Sequence, residues 1–268
     1  GFEGQALERF IAALDQVHGI LLVTGPTGSG KTTTLYTALD RLNKPDVKIV
    51  TVEDPVEYQM PGINQIQVKP QIDLTFSNAL RSIVRQDPDI IMVGEIRDVE
   101  TVRIAMQSAL TGHMVISTVH TNDAPSTVSR LLDMGAEDYL LTSTINGILA
   151  QRLVRTLCPK CRERYTALPE VVEKMGLRRF QPSGEITLYK PVGCGECAGT
   201  GYFGRICILE MLVMTDGIRS LIMRHATAGD LRAAAVAEGM ETMFENGLRK
   251  SLAGITTIEE VLRVTRED

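Results

Sequence analysis

Eight consecutive residues, Gly25-Pro26-Thr27-Gly28-Ser29-Gly30-Lys31-Thr32, follow the pattern G-x-x-x-x-G-K-[ST] that cradles nucleotide phosphates. Glycines let successive backbone N–H groups turn inward around an anion, and a following helix aims the positive end of its dipole at the same point. Lys31 then reaches the β and γ phosphates and Thr32 offers a hydroxyl to Mg²⁺, with Thr33 next to them as a further nucleotide contact. A glycine turn that merely joins strand to helix is the alternative. The apolar run before it and the helical pattern after it favour the phosphate loop.

Two carboxylate clusters end apolar runs of their own: Glu53-Asp54-Pro55-Val56-Glu57 and Gly94-Glu95-Ile96-Arg97-Asp98. A strand that delivers a carboxylate to a phosphate loop suits Mg²⁺ coordination or water activation, since both need a fixed negative oxygen near the γ phosphate. Glu53 and Glu95 are the candidates, with Glu95 also a magnesium ligand beside Thr32; helix capping or a surface turn is the competing reading. His120-Thr121-Asn122 ends a third run, where a neutral imidazole can sense a γ phosphate, although a lone histidine also serves structure. His113, at the opposite end, packs or caps. Arg81 and Arg85, four apart on one helical face, and Arg97 can stabilise phosphate charge, because the guanidinium stays cationic and bonds oxygens in pairs. Solvated ion pairs with Asp87, Asp89 or Asp98 are the alternative.

Four of the five cysteines form two C-x-x-C knuckles, Cys158/Cys161 and Cys194/Cys197, separated by 32 residues. That spacing closes a tetrahedral Zn²⁺ site in which four thiolates leave no position for water, so the metal is structural. The surroundings are rich in Pro and Gly and poor in apolar residues, which assigns to metal binding the folding energy of this segment. Reactive or disulfide-bonded cysteines are the alternative. Cys207 lies inside an apolar run and packs as a small buried residue.

These groups need elements to hold them. Runs over 19–24, 47–52, 89–93 and 113–119 are rich in Ile, Val and Leu without polar alternation, as in strands buried on both faces. Helical patterns over 32–42, 76–85 and 99–110 alternate with them, which predicts an α/β fold with a mostly parallel sheet. Helices continue over 123–134 and 138–149, with Asn122 or Asp123 as N-cap. The expected organisation is an ATPase core over 1–152, a zinc module over 153–205 and a helical C-terminal subdomain over 206–268. Helices in the last are expected over 217–224, 229–237, 241–251 and 258–266.

Composition narrows the function. The 268 residues carry 28 Lys and Arg against 33 Asp and Glu, a net charge of −5 that supplies no broad cationic field for duplex nucleic acid. Aromatics at 4%, with no Trp, remove the stacking platforms of a single-strand binder. No apolar run reaches the roughly 18 residues of a bilayer-spanning helix. The expectation is a soluble, cytoplasmic chain in a reducing compartment, without nucleic acid as partner. An opening Gly1 that leads straight into a helical pattern suggests a piece of something longer.

Four blocks carry a resemblance: GPTGSGKT at 25–32, TVEDPVEY at 51–58, DPDIIMVGEIRD at 87–98 and GHMVISTVHTNDA at 112–124, to which LCPKC and GCGECAGTGY add zinc knuckles. Over nearly its whole length the chain resembles the secretion ATPase superfamily, in its C-terminal ATPase region. The resemblance implies a RecA-like core, ATP hydrolysis with Mg²⁺, structural Zn²⁺ and a homohexameric ring peripheral to the inner membrane. It implies that Lys31 and Thr32 bind phosphate and metal, that Glu95 belongs to the Walker B block, that Glu53 polarises the attacking water, and that His120 faces the γ phosphate. Arg81, Arg85 and Arg97 match family arginines near the nucleotide, and the water-activating base stays open between Glu53 and Glu95. Retraction motors generally lack the knuckles. The stretch QVKPQIDLTFSNALRSIVRQDPD resembles type II secretion more than pilus extension, the alternative branch. Family members carry a preceding domain and meet inner-membrane platform proteins, which makes this segment a poor ATPase alone. A zinc-ribbon binding module with a nucleotide switch, or a DNA-translocating ATPase, are the readings from other classes.

Overall fold

A computed structural model describes residues 1–265. In chain order the elements are α1 (Gly4–Leu14), β1 (Gly19–Thr24), α2 (Lys31–Leu42), β2 (Ile49–Glu53), β3 (Ile63–Gln67), α3 (Phe76–Ile83), β4 (Ile90–Val93), α4 (Val99–Leu110), β5 (Met114–Val119) and α5 (Ala124–Asp133). They continue with α6 (Asp138–Thr144), β6 (Ile145–Leu157), β7 (Glu163–Thr166), α7 (Pro169–Lys174), β8 (Thr187–Lys190), β9 (Tyr202–Val213), α8 (Asp216–Met223), α9 (Ala228–Ala237), α10 (Met243–Leu252) and α11 (Ile258–Thr265). Among these elements no helix is long and apolar enough to cross a membrane.

The main sheet has the order β3-β2-β4-β5-β1-β6-β9, and the pairs from β3 through β6 are parallel. Every residue of β1, β2, β4 and β5 is buried, which is why these strands read as unbroken apolar runs rather than as alternation. Register aligns their carboxyl ends: Thr24 stands opposite Val119, Val93 opposite Ser117, and Val52 opposite Val93. One rim of the sheet therefore delivers Gly25, Glu53, Gly94 and His120, the place where open α/β sheets collect their chemistry.

Two expectations change. The helix expected over 138–149 stops at Thr144, and Ile145–Leu157 is a strand beside β1, because its apolar run is buried in the sheet. The helix expected over 76–85 ends at Ile83, and Arg85 lies in a 3₁₀ turn over Val84–Gln86, off the regular face that carries Arg81. The edge strand β3 and the β7/β8 hairpin carried no distinct apolar signal. The expected helix over 258–266 reaches Thr265, and its last residue lies outside the described residues.

Among the described residues two compact units form: 3–151 with 210–240, and 1–2 with 152–209 and 241–265. One junction lies between 151 and 152, next to the boundary expected at 152, another lies between 209 and 210, and residues 206–265 are divided between the two units. In the first unit α9 packs on α5, where Arg232 pairs with Asp123 at 2.6 Å. In the second, Ala167, Val172, Leu177, Ile186 and Leu188 share an apolar cluster with Leu248 and Ile258. The cysteine segment thus has a small core, supplied partly by α10 and α11, so metal binding is not its sole source of stability.

Candidate active site and metal centre

The phosphate loop turns from β1 into α2. Gly30 is the α2 N-cap in the left-handed region at φ +90°, which places the first free N–H groups of the helix toward the loop. At Gly25, a Cβ would lie 2.4 Å from the Gln151 carbonyl oxygen, so only glycine fits between β6 and the loop. Lys31 Nζ donates to Gly25 O at 2.7 Å and Pro26 O at 3.1 Å. Burial lowers its pKa, and the nearby charge of Glu95 opposes that shift. Ser29 Oγ is buried without a hydrogen-bond partner. A helix N-terminus, a lysine and an orphaned hydroxyl fit a polyphosphate.

Glu95 follows β4, held there because Gly94 N donates to Val52 O and Ile96 N donates to Thr118 O, at 2.8 and 2.9 Å. One carboxylate oxygen is ion-paired with Arg97, whose pKa rises through its hydrogen bond to Glu95. The other is buried, 3.2 Å from His120 Nε2 without the alignment of a hydrogen bond. Lys31, Glu95, Arg97 and His120 are therefore brought together. The buried, unbonded carboxylate oxygen fits a cation ligand at this rim.

Glu53, 4% exposed at the end of β2, is surrounded by donors: Tyr36 Oη to Oε2, Thr51 Oγ1 to Oε1 at 2.5 Å, and Gln65 Nε2 to Oε1 at 3.2 Å. Arg81 pairs with Glu100 in the first turn of α4, a surface ion pair as the alternative reading had it, with a different partner. Arg85 is exposed in its turn. Asp123 caps α5 through Ser126 N at 2.7 Å, and His113 Nδ1 lies 2.9 Å from Ser108 O, a capping contact.

Sequence reasoning passed over Thr24, Tyr36, Gln65 and Gln151. Thr24 Oγ1 donates to Val119 O at 2.8 Å and accepts from Thr121 N at 3.0 Å, which ties the start of the phosphate loop to the segment that bears His120. Gln151, 1% exposed, donates to Ser29 O and accepts from Thr34 Oγ1, both at 2.8 Å. Its signal would have been a polar side chain at the end of an apolar run, had 145–151 been read as a strand.

In the second unit, pairing of Glu163 with Lys190 at the open end of the β7/β8 hairpin draws the two knuckles together. The four Sγ atoms lie within 4.8 Å of one another. Cys158–Cys194, Cys161–Cys197 and Cys194–Cys197 are 3.9, 3.8 and 3.7 Å apart. A tetrahedron with bonds of about 2.3 Å has edges of about 3.8 Å, whereas a disulfide needs about 2.05 Å. Desolvation raises the Cys197 thiol, but amide donors at Cys194 and Gly201 outweigh it and bring the group down to about 6. This cluster can hold a metal ion.

The sequence matches the family described as Type II/IV secretion system protein over residues 1–263. It is 65% identical over 267 residues to type II secretion system protein E of Xanthomonas campestris pv. campestris, covering 100% of this chain and 47% of that protein. It is 51% identical over 268 residues to the type IV pilus assembly ATPase PilB of Myxococcus xanthus, again covering 100% and 47%. The chain thus spans about half the length of these relatives. Its fold is similar to that of the pilus retraction motor PilT with bound ADP, at a TM-score of 0.69 and 28% identity, covering 100% of this chain and 66% of that one.

Proposed function

The chain belongs to the Type II/IV secretion system protein family, and on that premise we propose that it is the ATP-hydrolysing part of a motor for type II protein secretion. The observation that carries the reading is Glu95 beside Lys31 at the strand-end rim, a fixed negative oxygen next to a phosphate loop. The higher identity to a type II protein than to pilus assembly ATPases favours secretion over pilus extension.

In this reading Lys31 exchanges its two loop carbonyls for β and γ phosphate oxygens, and residues 25–33 wrap the phosphates with those backbone N–H groups that the loop leaves free, Pro26 having none and Ser29 N donating to Pro26 O. Mg²⁺, held by Thr32 and Glu95, supplies neutralisation of the phosphate charge when bound. His120 and Arg97 stand beside Glu95, placed to sense or stabilise charge at the γ position. Glu53 polarises the attacking water, since its three donors fix the orientation of its carboxyl group and leave one of about four acceptor positions open. The four cysteines hold a structural Zn²⁺. In the cell the motor works as a homohexameric ring, peripheral to the cytoplasmic face of the inner membrane, with a preceding domain and platform proteins as partners.

The test is steady-state ATP hydrolysis by the gene-encoded protein. Lys31→Ala should lose binding and turnover together, whereas Glu95→Gln should keep nucleotide and lose turnover, because charge goes with little change of shape. Unchanged hydrolysis in Lys31→Ala would remove the proposal.

A further inference from the structure

Tyr36 is the sixth residue of α2, one and a half turns beyond Lys31, and it is 2% exposed. Its hydroxyl is a junction of three segments. Glu57 N donates to it at 3.2 Å from the loop after β2, Gln65 Nε2 approaches it at 3.4 Å from β3, and it donates to Glu53 Oε2. A phenol has one proton. With two N–H groups directed at the oxygen, that proton has Glu53 as its acceptor, so the direction of the bond is set by the surroundings. The ring is held as well, edge-on to Tyr58 with centroids 4.6 Å apart. Burial, followed by the hydrogen bond to Glu53, raises the phenol to about 12, so it stays a donor across the working pH range.

We infer that Tyr36 is the positioning residue for the Glu53 carboxylate, fixing from the phosphate-loop helix which acceptor position of that carboxylate remains for a water. Two donors already occupy Oε1, from Thr51 and Gln65. Without the phenol, Oε2 gains freedom and the carboxylate can turn about its last torsion, which is soft in glutamate. Tyr36 shares α2 with Lys31, so one helix carries both the lysine of the phosphate loop and the donor to Glu53. The inference rests on the ATPase reading above.

The experiment is a double-mutant cycle in the gene-encoded protein, with Tyr36→Phe, Glu53→Gln and the pair, reading kcat and KM for ATP, affinity for a fluorescent ATP analogue, and thermal unfolding. Tyr36→Phe should lower kcat about tenfold or more while leaving KM and analogue affinity within about twofold. In the Glu53→Gln background the same substitution should cost nothing further. A wild-type kcat in Tyr36→Phe, or an equal fall in both backgrounds, overturns the inference. If Tyr36→Phe fails to fold, a fluorinated tyrosine at position 36, which keeps the ring and lowers the pKa of its hydroxyl, takes its place, and kcat should then fall at high pH as the phenolic proton is lost while KM holds; a pH profile unchanged from wild type overturns the inference. A wild-type protein that hydrolyses no ATP would overturn the ATPase reading and this one with it, whereas turnover unaffected by Tyr36→Phe overturns this one alone.

Discussion

Glu260 opens α11 with its side chain 3% exposed, yet it is ionised between two arginines: Arg155 Nη2 stands at 2.6 Å and Arg263 Nη2 at 2.8 Å, and Arg155 N donates to Oε2 at 3.0 Å. Burial alone would raise its pKa, but the hydrogen bonds from Arg263 and Arg155 outweigh that and bring the carboxyl from 4.5 down to about 2. A folded-state value below the unfolded one means stability that is fully present above pH 4.5 and lost as pH falls toward 2. Its size is about 3 kcal/mol, at about 1.4 kcal/mol for each pH unit between the two values. Glu260→Gln keeps the shape and removes the charge. Urea unfolding at pH 7 should therefore show the variant less stable by about 3 kcal/mol, and the gap should narrow from pH 4.5 downward, with about half of it left near pH 3, and close only below pH 2. Release of metal from the cysteine cluster in acid affects both proteins and cancels in the difference. A gap that stays constant with pH, or one below about 1 kcal/mol at pH 7, would refute the claim that the arginines hold Glu260 as an ion.

Metal analysis of the purified chain should find one zinc per molecule, lost in Cys158→Ser, and chelation should lower the unfolding temperature; cysteines paired as disulfides by mass spectrometry would contradict this. Gln151→Leu strands the Ser29 carbonyl inside the phosphate loop and should cost about 1–3 kcal/mol of stability while weakening ATP binding about tenfold. Unaltered binding measured by fluorescence titration would show that the loop keeps its shape without that hydrogen bond.

The strands that deliver chemistry were legible because burial on both faces imposes an apolar run with abrupt polar ends, and those ends are where Gly25, Glu53, Glu95 and His120 stand. The four cysteines were legible because metal geometry restricts spacing within each knuckle. Less was legible where one element ran into another. The residues over 138–149 satisfy a helical pattern throughout, and only the open position beside β1 makes Ile145 onward a strand. That decision also brings Gln151 to the phosphate loop.

Residue type and order alone determined the candidate phosphate loop, the parallel α/β core and which four thiols could hold a metal, since each depends on contacts or periodicities within a few residues. Tertiary structure decided which partner each polar group takes: Arg97 with Glu95, Arg81 with Glu100, Tyr36 with Glu53. It also decided that 152–209 and 241–265 share one unit, because the apolar side chains of the cysteine segment find Leu248 and Ile258 as neighbours. Such pairings join residues far apart in sequence, and their energy comes from burial and hydrogen bonding that exist only once the chain has closed on itself.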